Sequence, residues 1–316
     1  MRKARSHRHA PHQQSKLTSL LESYLSRRRG YVFRMPKEQS PVVLMLSGGM
    51  DSAVAWHALI RTYRLIPYPL VVGRGRWDPQ VRAVHAISDE IRQRFPDVWR
   101  PPHVVYTKDA LRSVYPSRDP RRMDPQEILE QYSTANDFLS NPRLWGGSMW
   151  HVYTAYMYAQ KLRYDSRLPV DTVFTGVTAD DGRFVPTQTV AFLRLMMVAL
   201  MQIAQSDEFQ FGSPFLEPSL RIRHTKVAVT RMGIRLGVPL AHTYSCDRKW
   251  PYHCGTCLSC QSRMFCFSEN GVADPTWYVG KNPLRFLAKT MVKKAVKAGY
   301  RAWRSLPGKG EGSVHR

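Results

Sequence analysis

The chain has 316 residues, and Lys and Arg outnumber Asp and Glu by 47 to 24, which gives a formal net charge of +23. Its hydrophobic content of 43% is that of a globular protein, and no apolar run approaches the roughly 18–20 residues that a membrane helix needs. The basic N-terminus lacks the apolar segment of a secretory signal. We therefore expect a soluble, cytoplasmic protein, and the charge favours a polyanionic partner or a highly charged substrate.

The predicted elements alternate between helix and strand along the chain. After a basic start and a short helix at 16–28, the pattern indicates a strand at 42–46, a helix at about 52–63, a strand at 68–73, a helix at 81–95 and a strand at 103–107. A segment rich in Pro, Arg and Asp (115–145) precedes a helix at 148–162, a strand at 171–177 and a helix at 189–205. This alternation predicts an α/β fold with a parallel sheet covered by helices.

The stretch "VVLMLSGGMDSAVAWHAL" joins the first core strand to a helix through a Gly-rich turn. Gly48 and Gly49 let the backbone approach an anion closely and adopt positive φ, while backbone N–H groups at the helix start can bind phosphate. Ser47 and Ser52 add hydroxyl donors, and Asp51 can cap the helix or bind Mg²⁺. Glycines occur in many such turns, so the whole string is more specific than Gly-Gly alone.

The string "SGGMDS" resembles the pyrophosphate loop (PP-loop) of the adenine-nucleotide α-hydrolase superfamily, and it lacks the Walker and dinucleotide fingerprints. Members of that superfamily split ATP into AMP and pyrophosphate, usually adenylating a substrate oxygen. The resemblance implies a Rossmann-like parallel sheet. It also implies ATP binding by the loop residues Leu46, Ser47, Gly48, Gly49, Met50, Asp51 and Ser52.

Four of the five cysteines follow the spacing C-x7-C-x2-C-x2-C at Cys246, Cys254, Cys257 and Cys260. Four thiolates so spaced can converge on Zn²⁺, and a zinc with four protein ligands has no open position and is structural. An iron–sulfur cluster and a redox C-x2-C pair are the alternatives. Cys266, among apolar residues, is predicted to be a buried free thiol.

The PP-loop combined with this cysteine knuckle resembles the 7-cyano-7-deazaguanine synthase (QueC) family over about residues 40–278. Three further segments match the family: "FTGVTADDGRFVPTQTVAF" with Asp181, Pro186 and Phe192; "SPFLEPSLRIRHTKVAV" with Lys226; and "CQSRMFCF" with Arg263 and Phe267. The expected parts are a basic N-terminal extension (1–34), a PP-loop ATP pyrophosphatase domain (35–278) that contains the knuckle (246–260), and a basic tail (279–316).

The resemblance implies that ATP adenylates the carboxylate of 7-carboxy-7-deazaguanine, that ammonia displaces AMP, and that a second ATP-dependent round gives the nitrile. It implies catalytic roles for Asp51, Lys226 and Asp181, and ATP contacts from Thr175 and Gly176 at a strand's carboxyl end. It also implies Mg²⁺ and a homodimer. Lys226 as a solvated lysine at a helix start, and Asp181 as a helix cap, are the alternative interpretations.

The match fails at "GRGRWDPQ", "WGGSMW" and "PTQT", where the family carries other motifs near its substrate. Because the nucleotide loop is retained while the segments near the family's substrate differ, we predict that this protein shares the family's adenylation step and differs in the second step. This resembles divergent relatives associated with anti-phage defence, in which a protein amine would be the acceptor. Arg74 and Arg76 could reach an acidic group. A tRNA-modifying enzyme, supported by the net charge and the basic ends, and a non-catalytic nucleotide sensor are the alternative functions.

Overall fold

The computed structural model describes residues 11–71, 78–106, 146–183, 186–217, 224–247 and 252–281. The helices and strands in these ranges are, in chain order, α1 (Pro11–Arg29), β1 (Pro41–Leu46), α2 (Met50–Leu59), β2 (Arg64–Val71), α3 (Pro79–Arg94), β3 (Val105–Tyr106), α4 (Gly146–Asp165), β4 (Thr172–Phe174), α5 (Val190–Ala204), β5 (Gln210–Gly212), α6 (Lys226–Arg235) and α7 (Leu258–Glu269). Short 3₁₀ turns lie at Asp181–Arg183, Pro186–Gln188, Leu240–His242 and Val279–Lys281.

The five strands form one parallel sheet in the order β3-β2-β1-β4-β5. In the central strand β1, the consecutive residues Val42, Val43 and Leu44 are all fully buried. Because neighbouring side chains on a strand point to opposite faces, helices must cover both sides of the sheet. Helices α2 and α3 pack near β1 and β2, while α4 packs near β1 and β4. The predicted parallel α/β fold is confirmed.

Strand β2 begins four residues before the strand predicted at 68–73, and it runs through Pro67 and Pro69. Proline cannot donate a ladder hydrogen bond, so Pro67 argues against a strand in the added segment 64–67. The Pro67 carbonyl accepts from the His103 N–H at 2.9 Å, so these two prolines turn their backbone edge toward β3 and away from β1. Their missing N–H groups therefore do not interrupt the pairing of β1 with β2.

Helix α1 packs against α5, a helix that itself packs on β5, and so brings part of the basic N-terminal stretch onto the helix layer. Its Leu25 is fully buried. At its end, the Arg29 guanidinium donates to the Phe209 carbonyl at 3.3 Å and to the Val32 carbonyl. The helix predicted at 16–28 is confirmed, and it starts earlier, at Pro11.

Helix α5 carries a buried ion pair in an otherwise apolar sequence. Arg194, 1% exposed, meets Glu217, 0% exposed, through two hydrogen bonds of 3.2 and 2.9 Å. Glu22 of α1 accepts a third hydrogen bond from Arg194, at 3.1 Å. Glu217 also accepts from the Ser213 N–H at 3.1 Å, so the pair fixes the chain just after β5.

None of the helices in the described ranges is both long enough and apolar enough to cross a membrane. Several predicted features lie outside those ranges: the extreme N-terminus (1–10), the side chains of Arg74 and Arg76, the 115–145 segment, and the tail beyond residue 281.

Candidate functional site

The Gly-rich turn between β1 and α2 is shaped by close backbone packing. Gly48 has φ +71°, and a Cβ there would lie 2.5 Å from the Gln80 carbonyl oxygen, so only glycine fits without displacing backbone. Gly49 caps α2 with φ −79°, so the positive φ predicted for it is wrong. Its close contact is instead with the Ser47 hydroxyl, which would lie 3.1 Å from an added Cβ.

Two serine hydroxyls hold the turn in shape. Ser47 Oγ accepts from the Gly49 N–H at 3.2 Å and lies 3.2 Å from Ser52 Oγ. Ser52 Oγ in turn donates to the Gly49 carbonyl at 3.1 Å. The turn is therefore preorganised at the N-terminus of α2, where unpaired N–H groups and the helix dipole favour an anion.

The chain leaving β4 lies directly against the start of α2. A Cβ on Gly176 would lie 3.0 Å from the Ser52 nitrogen, so a larger residue here would have to displace the backbone by a few tenths of an ångström. Thr175 is fixed from the other side because its N–H donates to the Gly212 carbonyl at 2.9 Å. Thr175 and Gly176 thus lie at the carboxyl ends of the parallel strands beside the loop, the usual ligand position in open α/β sheets.

The structure brings together the three residues to which the sequence assigned catalytic roles. Lys226, the first residue of α6, lies with Nζ 3.3 Å from Asp51 Oδ2 and also forms an ion pair with Asp181. Its side chain is only 24% exposed, which excludes the alternative of a solvated lysine. Asp181 Oδ2 accepts from the Thr178 N–H and hydroxyl at 2.7 and 2.8 Å, so Asp181 also stabilises the turn formed by residues 178–181.

Asp51 keeps one carboxylate oxygen free for a ligand. Its Oδ1 is buried and has no hydrogen-bond partner among the described residues. Burial raises the pKa of Asp51 to about 6 against the opposing effect of Lys226. Burial alone would lower the pKa of Lys226, but the Asp51 and Asp181 carboxylates outweigh it and raise that pKa above its usual value. Lys226 is therefore a cation throughout the physiological range, and a second cation on Asp51 Oδ1 would favour the ionised carboxylate.

The four cysteines of the knuckle converge, and their sulfur atoms all lie within 4.8 Å of one another. The Cys254–Cys260 and Cys246–Cys257 sulfur pairs are each 4.0 Å apart. A tetrahedral zinc with Zn–S bonds of about 2.3 Å requires sulfur separations of about 3.8 Å, so the residues fit one ion. A [4Fe–4S] cluster binds each thiolate to a different iron and a [2Fe–2S] cluster binds two thiolates to each of two irons, so either cluster spreads the four sulfurs farther apart.

Backbone N–H groups point at these sulfurs, as expected for thiolates. The Thr256 and Cys257 N–H groups lie 3.3 and 3.2 Å from Cys254 Sγ, and the Cys260 N–H lies 3.4 Å from Cys257 Sγ. All five cysteines are free of disulfides. Cys266 is buried, as predicted.

Buried Arg263 connects the knuckle to the rest of the domain. Its guanidinium donates to both Asp274 oxygens, at 3.1 to 3.2 Å, and to Thr243 Oγ1 at 2.5 Å. Sequence reasoning aligned Arg263 with the family but missed Asp274, Thr243 and Tyr244. The available signal for Tyr244 was its place two residues before Cys246.

Comparison with known proteins places these features in a family. A family model described as "Queuosine biosynthesis protein QueC" matches residues 153–271. The 7-cyano-7-deazaguanine synthase of Thermoplasma volcanium is 30% identical over 275 residues, which cover 82% of this chain and 97% of that protein. The synthase of Methanococcus aeolicus is 24% identical over 246 residues, covering 75% and 98%.

Another match is shorter: the synthase of Methanosphaerula palustris is 34% identical over 109 residues, 34% of this chain and 47% of that protein. Among solved structures, the U34-tRNA thiolase NcsA from Methanococcus maripaludis with its [4Fe-4S] cluster aligns with 96% of this chain and 86% of its own. That alignment has 12% identity and a TM-score of 0.37, too distant a likeness to bear on the metal or the reaction. The match to nearly the full length of the Thermoplasma volcanium protein shows that this chain belongs to the QueC family.

Proposed function

We propose that this protein is an ATP-dependent, AMP-forming ligase that activates the carboxylate of 7-carboxy-7-deazaguanine or a related deazapurine. The observation that carries the proposal is the buried, unpartnered Asp51 Oδ1, next to an ion-paired lysine at the mouth of a preorganised PP-loop. An unsatisfied buried carboxylate oxygen is costly without a ligand, and Mg²⁺ on ATP is the ligand that its position favours.

In the proposed first step, a substrate carboxylate oxygen attacks the α-phosphorus of ATP, and pyrophosphate leaves with the electrons of the broken P–O bond. The N–H groups at the start of α2, with Ser47 and Ser52, would bind the departing phosphates. Lys226, held cationic by two carboxylates, would stabilise the negative charge that develops there. Mg²⁺ held by Asp51 would supply further charge neutralisation.

In the second step, an amine nitrogen attacks the acyl carbon, AMP leaves, and the nitrogen loses a proton, which gives an amide. With ammonia as the acceptor, the amide oxygen attacks a second ATP and releases pyrophosphate, and loss of AMP and of the two amide protons then gives the nitrile. With a protein amine, as proposed for a defence-type relative, the reaction ends at the amide. The altered segments "GRGRWDPQ" and "WGGSMW" are what favour considering a protein acceptor.

We also propose that the four-cysteine site holds a structural Zn²⁺, because the short sulfur separations suit a single ion. Amine or sulfur transfer on tRNA is the second candidate function, favoured by the net charge of +23. Sulfur transfer is disfavoured because the four clustered thiols face one another and the fifth, Cys266, is buried.

The deciding experiment measures pyrophosphate release from ATP with 7-carboxy-7-deazaguanine, with and without ammonium, and identifies the products by mass spectrometry. Amide and nitrile with ammonium indicate a synthase. Substrate-dependent pyrophosphate release without either product indicates a macromolecular acceptor. Pyrophosphate release that does not depend on 7-carboxy-7-deazaguanine, together with salt-sensitive tRNA binding, would contradict the proposal and favour tRNA modification. Asp51→Asn should lose turnover, whereas Asp165→Asn, which removes an exposed surface ion pair with Lys161, should not.

A further inference from the structure

Four consecutive residues, 243–246, connect the PP-loop to the cysteine knuckle, and each is anchored by its own hydrogen bond. We call them the strap. Thr243 Oγ1 accepts from Arg263, and the Tyr244 N–H donates to the Gly48 carbonyl at 2.8 Å. The Ser245 N–H donates to His253 Nε2 at 3.0 Å. Cys246 Sγ accepts from the Cys254 N–H at 3.4 Å.

The Tyr244–Gly48 hydrogen bond fixes the orientation of one peptide group in the PP-loop. A peptide unit is planar and trans, so the Gly48 carbonyl and the Gly49 N–H point in opposite directions. Holding the Gly48 carbonyl on Tyr244 therefore directs the Gly49 N–H away from the strap, toward the Ser47 hydroxyl. Glycine has little intrinsic preference of its own, so an external anchor is needed to select this orientation.

The Tyr244 ring ties the same residue to the knuckle. The ring is buried in one cluster with Cys246, Cys254 and Cys260, separate from the main core. Its hydroxyl hydrogen-bonds Cys246. On the other side it lies 4.9 Å, between ring centroids, from His253, whose segment pairs with that of Tyr278. Tyr244 thus contacts the loop through its backbone and the cysteines through its side chain.

We infer that metal binding to the four cysteines positions the nucleotide loop, with Tyr244 as the positioning residue. A bound metal fixes Cys246, Cys246 fixes the strap, and the strap fixes the Gly48–Gly49 peptide. The metal thereby preorganises the anion-binding turn without contacting the nucleotide. This inference deepens the proposed function and rests on its assignment of the turn to ATP phosphates, but the loop's order can be measured without any nucleotide.

The first test compares amide hydrogen exchange of the full chain, as purified with zinc and after removal of the zinc by a chelator. We expect faster exchange in the peptide covering 47–52 and at Tyr244, with no change in β4 or α1, and recovery on adding zinc. The affinity for ATP should fall by roughly three- to tenfold, the effect of one lost hydrogen bond. Complete zinc loss with unchanged exchange at 47–52 would overturn the inference.

A matched pair of ligand substitutions tests the direction of the coupling. Cys246→Ser and Cys257→Ser each remove one thiolate, but only Cys246 lies on the strap. With zinc added until both variants are equally occupied, we expect Cys246→Ser to speed exchange at 47–52 more than Cys257→Ser does. Equal effects would mean that the knuckle stabilises the domain only in a general way, and would contradict the inference.

If either serine variant fails to fold, one glycine inserted between Ser245 and Cys246 keeps all four ligands and lengthens the strap. This variant should bind zinc, and its loop exchange should no longer respond to chelation. A response as large as that of the unmodified chain would overturn the inference. If the unmodified chain binds no ATP at all, the proposed function fails, while the exchange data still decide whether the strap couples the two sites.

Discussion

The Lys226 ammonium lies 3.3 Å from Asp51 Oδ2, which joins the first turn of α6 to the first turn of α2 across the mouth of the PP-loop. Asp181 completes the contact from the turn after β4. The starts of α2, α6 and the turn after β4 therefore meet here, with the Lys226 cation between the two aspartates. The following predictions test what this arrangement and its surroundings do.

Replacing Lys226 by Met should lower substrate-dependent pyrophosphate release by about a hundredfold or more, because a preorganised cation at developing charge has an effect of that order. Melting should confirm that the variant remains folded. Lys226→Arg keeps the charge and should retain part of the activity. Equal activity of Lys226→Met and the unmodified chain would remove Lys226 from the proposed mechanism.

Asp51 should make the stability of the nucleotide-free protein depend on pH. Its folded-state pKa of about 6 exceeds the ordinary 3.8, so its contribution favours folding below about 4 and is lost as pH rises through about 6. Asp51→Asn should therefore be more stable at pH 7, by about 1–3 kcal/mol, while losing activity. Urea unfolding at pH 4, 5, 6 and 7 measures the difference. A constant offset between the two proteins across this range would contradict the assignment.

Gly48→Ala should destabilise the protein and weaken ATP binding more than Gly271→Ala does. Both glycines have positive φ, +71° and +68°, so both substitutions carry a similar backbone cost of about 1–2 kcal/mol. Only at Gly48 would the new methyl meet backbone, 2.5 Å from the Gln80 carbonyl, whereas nothing lies within 4 Å at Gly271. Thermal melting and ATP titration of the pair separate the contact from the conformational cost, and indistinguishable variants would argue against tight packing at Gly48.

Cys257→Ser should lose stoichiometric zinc and lower the melting temperature, because the binding free energy of a structural metal is folding free energy. Cys266→Ser, which changes a buried cysteine outside the cluster, should keep its zinc. Elemental analysis of both purified proteins is the measurement. Iron instead of zinc in the unmodified protein would replace the proposed metal, and full zinc retention by Cys257→Ser would exclude Cys257 as a ligand.

Arg194→Met should cost about 3–5 kcal/mol, since it leaves the buried Glu217 carboxylate without its partner. Adding Glu217→Leu should recover much of that loss, because the pair is then replaced by apolar groups. Urea denaturation of the two single variants and the double variant measures the coupling. Purely additive effects would show that the pair is not an energetic unit.

The sequence was informative where local chemistry is strong. The Gly-rich turn, the cysteine spacing and the β1–α2 transition each depend on residues that are neighbours in the chain. Lys226 and Asp181 were aligned with family positions, and only tertiary packing reveals that both meet Asp51. The β2 start was missed because proline opposes a strand in general, while its tolerance here depends on which neighbour each backbone edge faces.

Other features had no readable signal. Strand β5 has only three residues, too few for any periodicity, and it exists because β4 pairs with it. Arg194 is a charge within an apolar helix, and its buried partner Glu217 lies beyond that helix. The strap looks like an ordinary loop in sequence, because the hydrogen bonds of Tyr244 and Ser245 are donated by main-chain N–H groups, which every residue except proline possesses.

The two prolines of β2 also bear on whether a further strand could add to this edge of the sheet. Among the described residues, β3 pairs with only the last two positions of β2, and the edge before them is joined to the segment preceding β3 through the His103–Pro67 hydrogen bond. Pro67 and Pro69 remove hydrogen-bond donors from that edge, which makes it a poor template for an added strand from another copy. Replacing both prolines by valine would restore two N–H donors on this edge. We expect that variant to aggregate edge to edge more readily at high protein concentration.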